Sequence, residues 1–302
     1  MEIFGETSKF DFMGKRKIAL MISVVLIFIS LASIVAHGGL RFGIDFAGGT
    51  LVQLKFKSPP SLDSIRTGLK DIGLGDSTIQ EFGSSDDILI RTQASEGALQ
   101  EMGTRIRDAI VKGGSKDDII IERVEMVGPK VGADLREKAL LSILYAIAGI
   151  LIYISWRFEF QYAIAAVIAL IHDVLVTMGA FSVLNIEFTL VVVAGFLTLI
   201  GYSLNDTIVV FDRIRENTRR RGKESLTQLI NLSINQTLSR TLLTSGTTLL
   251  VVVSLFVLGG EIIHDFSFTL LFGIIVGTYS SIFIASVFLV IWEGRRTSKK
   301  RA

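Results

Sequence analysis

Asp206 lies inside Phe188–Phe211 (FTLVVVAGFLTLIGYSLNDTIVVF), a stretch otherwise free of charge. An ionised aspartate at the centre of a membrane helix costs about 2.5–3.5 kcal/mol on insertion scales. Such a residue is read first as part of an ion or proton path, with its partner sought in other spans. On a helix, Gly195, Thr198, Tyr202, Asp206 and Arg213 share one face. Ala166, Ala169, Asp173, Thr177 and Ala180 make a second stripe around a second acid. Ser233, Gln236, Thr237, Arg240, Thr244, Thr247 and Thr248 make a third, around a guanidinium.

Polar faces of membrane helices turn toward one another or toward water. Packing the three stripes together gives a polar core with two acids and one cation. Asp206 is seven residues from Arg213, ~10 Å along a helix, and Arg240 sits where the apolar part of its span begins. Both lie toward the same membrane face, so Arg240 is the expected partner of Asp206 and Asp173 a second acid. The plainer alternative is a structural ion pair, with Arg240 reaching for the headgroups. His172, Tyr202, Thr198, Thr244 and Thr247 are supporting candidates. His172 points about 100° away from Asp173, and hydroxyls in such helices more often bond back to their own backbone.

The elements that position these groups follow from hydropathy. The chain has 302 residues, half of them hydrophobic, with mean hydropathy +0.55, which indicates a multi-span membrane protein. The apolar runs are Ile18–Ala36, Ala139–Trp156, Tyr162–Leu184, Phe188–Phe211, Thr241–Leu258 and Phe266–Trp292, each near or above the ~17–25 residues needed to cross. The first exceeds the ~7–15 residues of a signal-peptide core and reads as an uncleaved anchor. Thr269, Gly273, Gly277, Ser281 and Ala285 form a small-residue seam for close helix packing, with no chemistry.

Lys15–Lys17, the Arg213–Lys223 cluster and the Arg295–Arg301 cluster all fall on one side of a six-span layout. The opposite short links carry Glu187, Glu261 and Asp265 and no Lys or Arg. The basic side is the cytoplasmic one, which places both termini there. The expected division is a cytoplasmic segment 1–17, a first span 18–36 and an extracytoplasmic domain 38–138. A five-helix bundle 139–292 follows, with a cytoplasmic basic helical segment 213–238, then a basic tail 293–302.

Residues 38–138 hold no spanning run. Thr50–Lys57 alternates as a strand and Leu62–Leu69 reads as a helix. Ser77–Phe82 and Ile88–Thr92 read as strands joined by a Gly83–Asp87 turn. Glu96–Lys112 reads as a helix with Leu99, Met102, Ile106 and Ile110 on one face, and Ile119–Val127 as a last strand. The β-α-β-β-α-β order predicts an α+β, ferredoxin-like fold. No catalytic constellation is visible in it, so the reading is not an enzyme.

Cysteine is absent and the three histidines are scattered, so no metal or other cofactor is expected. No phosphate-binding GxxxxGK[ST] run occurs. The basic clusters follow from membrane topology rather than from nucleic-acid binding. Two acids in neighbouring spans suggest an intramembrane aspartyl protease, but the G-x-G-D string such enzymes carry falls only at Gly73–Asp76, in the soluble insert.

Four segments carry a resemblance: FGIDFAGGT (Phe42–Thr50), ALIHDV (Ala169–Val174), GYSLNDTIVVFDRIREN (Gly201–Asn217) and SRTLLTS (Ser239–Ser245). With the six-span layout and the insert after span one, the chain resembles the SecF family, within the resistance-nodulation-division superfamily. The resemblance implies a bacterial inner-membrane subunit that pairs with SecD and acts beside the SecYEG channel and other accessory Sec subunits. It implies help for late export of unfolded polypeptide by a proton or sodium gradient, ATP being consumed by the separate SecA motor. The family's transport residues fall on Asp206 and Arg240, with Asp173 in support. Gly43, Asp45, Gly48 and Gly49 fall in the hinge motif that joins span one to the external domain. A small-molecule exporter of the same superfamily is the alternative; it would usually need larger external domains and twice the spans.

Overall fold

The computed structural model describes residues 10–93, 99–111, 118–220 and 224–299. Arg221, Lys223, Lys300 and Arg301 of the basic clusters lie outside the described residues. So do residues 1–9 of the N-terminal segment and Glu96 and Lys112 of the expected 96–112 helix. The chain divides into two compact units. One is Phe42–Leu141 with Glu187–Leu190; the other comprises Met1–Arg41, Ser142–Ile186 and Val191–Ala302.

The α+β unit begins with a short helix α2 (Ile44–Ala47), following α1 (Arg16–Ala36) of the other unit. Then come β1 (Gly49–Phe56), α3 (Leu62–Asp71), β2 (Thr78–Phe82), β3 (Ser84–Thr92), α4 (Leu99–Ile110) and β4 (Ile119–Val127). The sheet order is β2-β3-β1-β4 and every neighbouring pair is antiparallel. This is the predicted ferredoxin-like order. The period-two pattern of β1 puts Val52, Leu54 and Phe56 on one face. There they pack with Ile65, Leu69, Ile88, Ile90, Met102, Ile106 and Ile119. The expected Gly83–Asp87 turn is shorter than predicted. Gly83 alone takes the left-handed conformation (φ 74°), Phe82 pairs with Ser84, and residues 84–87 join β3, where Lys55 sits opposite Asp87. Local polarity suggested a loop; pairing with β1 overrides it.

Ile90 is fully buried at the centre of this core. Ile90→Ala is expected to cost the unit ~2–5 kcal/mol. The readout is loss of amide-exchange protection in β1 and β3 of the full chain; unchanged protection would contradict the packing described.

At the exposed end of the central β1–β3 pair, the Ser84 hydroxyl, followed by Lys55, holds the Asp86 carboxyl below its ordinary 3.8. The Lys55 Nζ to Asp86 Oδ2 distance is 3.1 Å. A carboxyl whose folded pKa is depressed favours the native state above its unfolded pKa, and that contribution fades as pH falls through the folded value. Ser84→Ala is expected to move the Asp86 titration midpoint upward, as read by carboxyl-carbon NMR, and an unmoved midpoint would contradict the assignment.

In the other unit, α1 is joined by α5 (Pro129–Arg157), whose residues up to Leu141 belong to the α+β unit, by α6 (Phe160–Val183), by α7 (Leu190–Arg219), whose first residue does so too, and by α8 (Leu226–Leu258) and α9 (Glu261–Ser280). A π-helical turn at Ser281–Ala285 leads into α10 (Ser286–Lys299). Counting α9–α10 as one, six helices among the described residues are long and apolar enough to cross a membrane. The helices outrun their apolar parts. α5 starts at Pro129, a residue suited to the first helical position, and α7 runs on to Arg219. The expected basic helical segment 213–238 falls on the end of α7 and the start of α8. A capping box opens α8: Gln228 N–H donates to Ser225 Oγ, and Ser225 N–H to Gln228 Oε1. Hydropathy marks where a helix crosses lipid, whereas Gln, Leu, Glu and Arg, which lose little rotamer freedom in a helix, carry it beyond.

α6, α7 and the α9–α10 span supply most of the buried residues, while α1, α5 and α8 keep apolar faces exposed. The small-residue seam works as packing. A side chain at Gly195 would meet Thr269, one at Gly273 would meet Leu199, and one at Gly277 would meet Ser203. α9 therefore lies tightly along α7.

Candidate functional site

Asp206 and Asp173 are both almost completely buried, yet they occupy different surroundings. Asp206, on α7, accepts from Ser245 Oγ of α8 at 2.8 Å. Thr278 of α9 donates to that same Ser245 oxygen at 3.0 Å. Asp173, on α6, accepts from Ser203 Oγ of α7 at 2.6 Å and from Ser280 Oγ of α9 at 2.7 Å, both on Oδ2. Its Oδ1 lies 2.9 Å from His172 Nδ1. The two acids are thus tied to neighbouring positions of α9, Thr278 and Ser280, and the π-helical turn begins at the next residue. Such turns recur where a helix is adapted to a function.

Three expectations change. The polar groups at the two acids include Thr278 and Ser280 of α9, a helix outside the three expected stripes. The predicted Asp206–Arg240 pair is not formed: no Arg240 nitrogen comes within the 4.0 Å of an ion pair, and Arg240 is exposed in this chain. His172 does meet Asp173. Adjacent helical positions diverge by 100°, but both side chains are long enough to bend back toward each other, and the ring rests 6.1 Å from that of Tyr279.

Thr198, Thr244 and Thr247 bond back to carbonyls of their own helices, at 2.8, 3.0 and 2.8 Å. The Tyr202 hydroxyl is buried without a hydrogen-bond partner among the described residues. Ser203, Ser245, Thr278 and Ser280 are the groups sequence reasoning missed. Ser203 lies three residues before Asp206, and Ser245 sits in the SRTLLTS segment; proximity to the flagged charges was the only available signal. Toward the basic ends of α7 and α8, Arg213 Nε donates to Gln236 at 2.7 Å and Asn217 to Ser233 at 2.8 Å. Ser233 and Gln236 of α8 therefore serve helix pairing, while Asn231 and Asn235 hold the backbone of Phe10. Among the described residues, no group of three acidic or histidine side chains is arranged to hold a metal ion.

In the α+β unit, the glycine-rich segment makes a sharp passage into β1. Gly48 and Gly49 have φ of 76° and 123°, conformations that favour glycine. A side chain at Gly49 would also collide with the Thr92 carbonyl. Gly43 N–H donates to Phe188 O at 3.0 Å, and Asp45 Oδ2 accepts from Leu190 N–H, the first residue of α7, at 2.9 Å.

A family model described as protein export membrane protein SecD/SecF, C-terminal, matches residues 107–295. The chain belongs to the SecD/SecF family. The SecD/SecF GG motif matches residues 34–60, which contain Gly43, Asp45, Gly48 and Gly49. Within the family, the chain is 52% identical to the protein translocase subunit SecF of Desulfurispirillum indicum, covering 94% of this chain and 92% of that one. It is 40% identical to the SecF of Pseudomonas aeruginosa, covering 93% and 90%. The crystal structure of SecDF from Thermus thermophilus superposes with a TM-score of 0.87 at 33% identity. That match takes in 97% of this chain, which spans 40% of the length of the SecDF chain. SecDF in a super-membrane-facing form superposes less closely, with a TM-score of 0.72.

Proposed function

We propose that this SecF-family chain is one half of an accessory complex that uses an ion gradient to promote late steps of protein export. It pairs with a SecD-type chain beside the SecYEG channel in the bacterial inner membrane. Its termini are cytoplasmic and its α+β unit faces outward, where it holds emerging unfolded polypeptide. Basic clusters gathered on one side of six spans support this orientation. The observation that carries the reading is Asp206: a membrane-buried acid held by a hydroxyl, with no cation of the described residues within 4.0 Å. A fold does not need such a residue, but a gradient-driven cycle does.

Asp206 takes a proton from the outer side and releases it to the cytoplasm. An approaching guanidinium favours an ionised carboxylate, so Arg240 acts by changing its distance from Asp206 during the cycle. Ser245 and Thr278 hold the acid in the conformation described here. Asp173, bonded to α7 through Ser203 and to α9 through Ser280, passes the change between helices. A small-molecule exporter is not favoured, because relatives matched along nearly their whole length are named translocase subunits.

Pulse-labelled export in a strain lacking its own SecF-type chain tests the assignment. Expression of this chain with its SecD-type partner is expected to restore processing of exported precursors. Continued precursor accumulation, with both chains present in the membrane, would contradict it.

A further inference from the structure

The link between α6 and α7 ends in residues that belong to the α+β unit: Glu187–Leu190 cluster with Phe42–Leu141. Four contacts within that unit hold them. Glu187 is ion-paired to Arg91 of β3, both side chains being largely buried. Phe42 and Phe188 form an isolated parallel bridge, secured by Gly43 N–H on the Phe188 carbonyl. The rings of Phe42, Phe46 and Phe188 pack with centroids 5.9–6.3 Å apart. The Asp45 carboxylate takes the Leu190 N–H. The first N–H groups of a helix have no partner within it, and a carboxylate there is favoured by the helix dipole. Asp45 thus caps the very helix that carries Asp206, from outside that helix.

We propose that Asp45, Arg91 and Glu187 are positioning residues that clamp the start of α7 to the α+β unit. Displacement of the Asp206-bearing helix then reaches that unit through the α6–α7 link, in addition to span one. The contacts suit a permanent attachment. Removing one partner of a buried ion pair leaves the other charge uncompensated, so the clamp resists opening. This inference rests on the gradient-driven reading of Asp206.

The test uses the full chain with its SecD-type partner in vesicles, following gradient-stimulated export and proton uptake together. Arg91→Glu and Glu187→Arg are each expected to reduce stimulation at least fivefold, with proton uptake retained. The exchanged pair, Arg91→Glu with Glu187→Arg, is expected to return to within threefold of wild type. Glu187→Gln, which leaves less charge to misplace, is expected to show a smaller loss of the same kind. Stimulation unchanged in Arg91→Glu or in Glu187→Gln overturns the clamp, as does an exchanged pair no better than its single variants. If wild type itself shows no gradient stimulation, the underlying reading falls and the clamp's role falls with it.

Discussion

Asp206→Asn is expected to lower gradient-dependent export at least tenfold while leaving the chain folded and inserted. Asparagine keeps the shape and an oxygen to accept from Ser245 Oγ, 2.8 Å away in the wild type. What it cannot do is change charge. One elementary charge moved through 100 mV is worth about 2.3 kcal/mol, about fifty-fold in an equilibrium. Complete switching of a two-state element from 1:99 to 99:1 takes ~5.5 kcal/mol, so about three charges, or about two with a pH gradient of about one unit, suffice. Losing the Asp206 charge therefore removes much of the drive without disturbing packing. Removing a charge from the bilayer interior also removes its insertion cost, so membrane abundance is expected to hold or rise. Export that stays gradient-dependent at the wild-type rate would exclude Asp206 as the coupling group.

The second large effect is a contrast at Asp173. Asp173→Ala leaves Ser203 and the His172 ring without their shared buried acceptor, and Ser280 with only the Gly277 carbonyl, 3.1 Å away. Buried donors left unmatched cost about 1–3 kcal/mol each, and the lost side chain adds a cavity. A loss of ~3–5 kcal/mol is expected, read as lower thermal stability in detergent and lower membrane abundance. Asp173→Asn keeps an acceptor oxygen and is expected to recover most of the stability, but not the transport of a group that must also ionise. Equal stability in the two variants would show that the three bonds contribute little. Full export by Asp173→Asn would reduce Asp173 to a structural acceptor.

The legible parts of this molecule are those written in hydropathy and period. Six apolar runs locate the crossings, and the alternation in Thr50–Lys57 points to a central strand with the β-α-β-β-α-β order around it. Asp206 and Asp173 stand out because a charge within an apolar run is costly. Their partners are not legible in that way. Ser245 and Ser280 are chemically like many other hydroxyls in the chain, most of which bond to their own helix, and only the packing of α9 singles these two out. The His172–Asp173 bond defeats the helical-face rule because both side chains bend. Glu187 read as an orientation marker in a short link; its bond to Arg91 spans 96 positions of sequence, and no periodicity encodes such a contact. The continuity of α8 was hidden because polar residues before Thr241 mark the end of the apolar run, although no Gly or Pro interrupts the helix there.

Purified complexes of this chain and its SecD-type partner, reconstituted in vesicles with an imposed proton or sodium gradient, test the central claim most directly. The ion gradient is predicted to accelerate export by the wild-type complex and to fail with Asp206→Asn, under the same ATP supply and channel content. Equal acceleration of the two complexes would contradict the account.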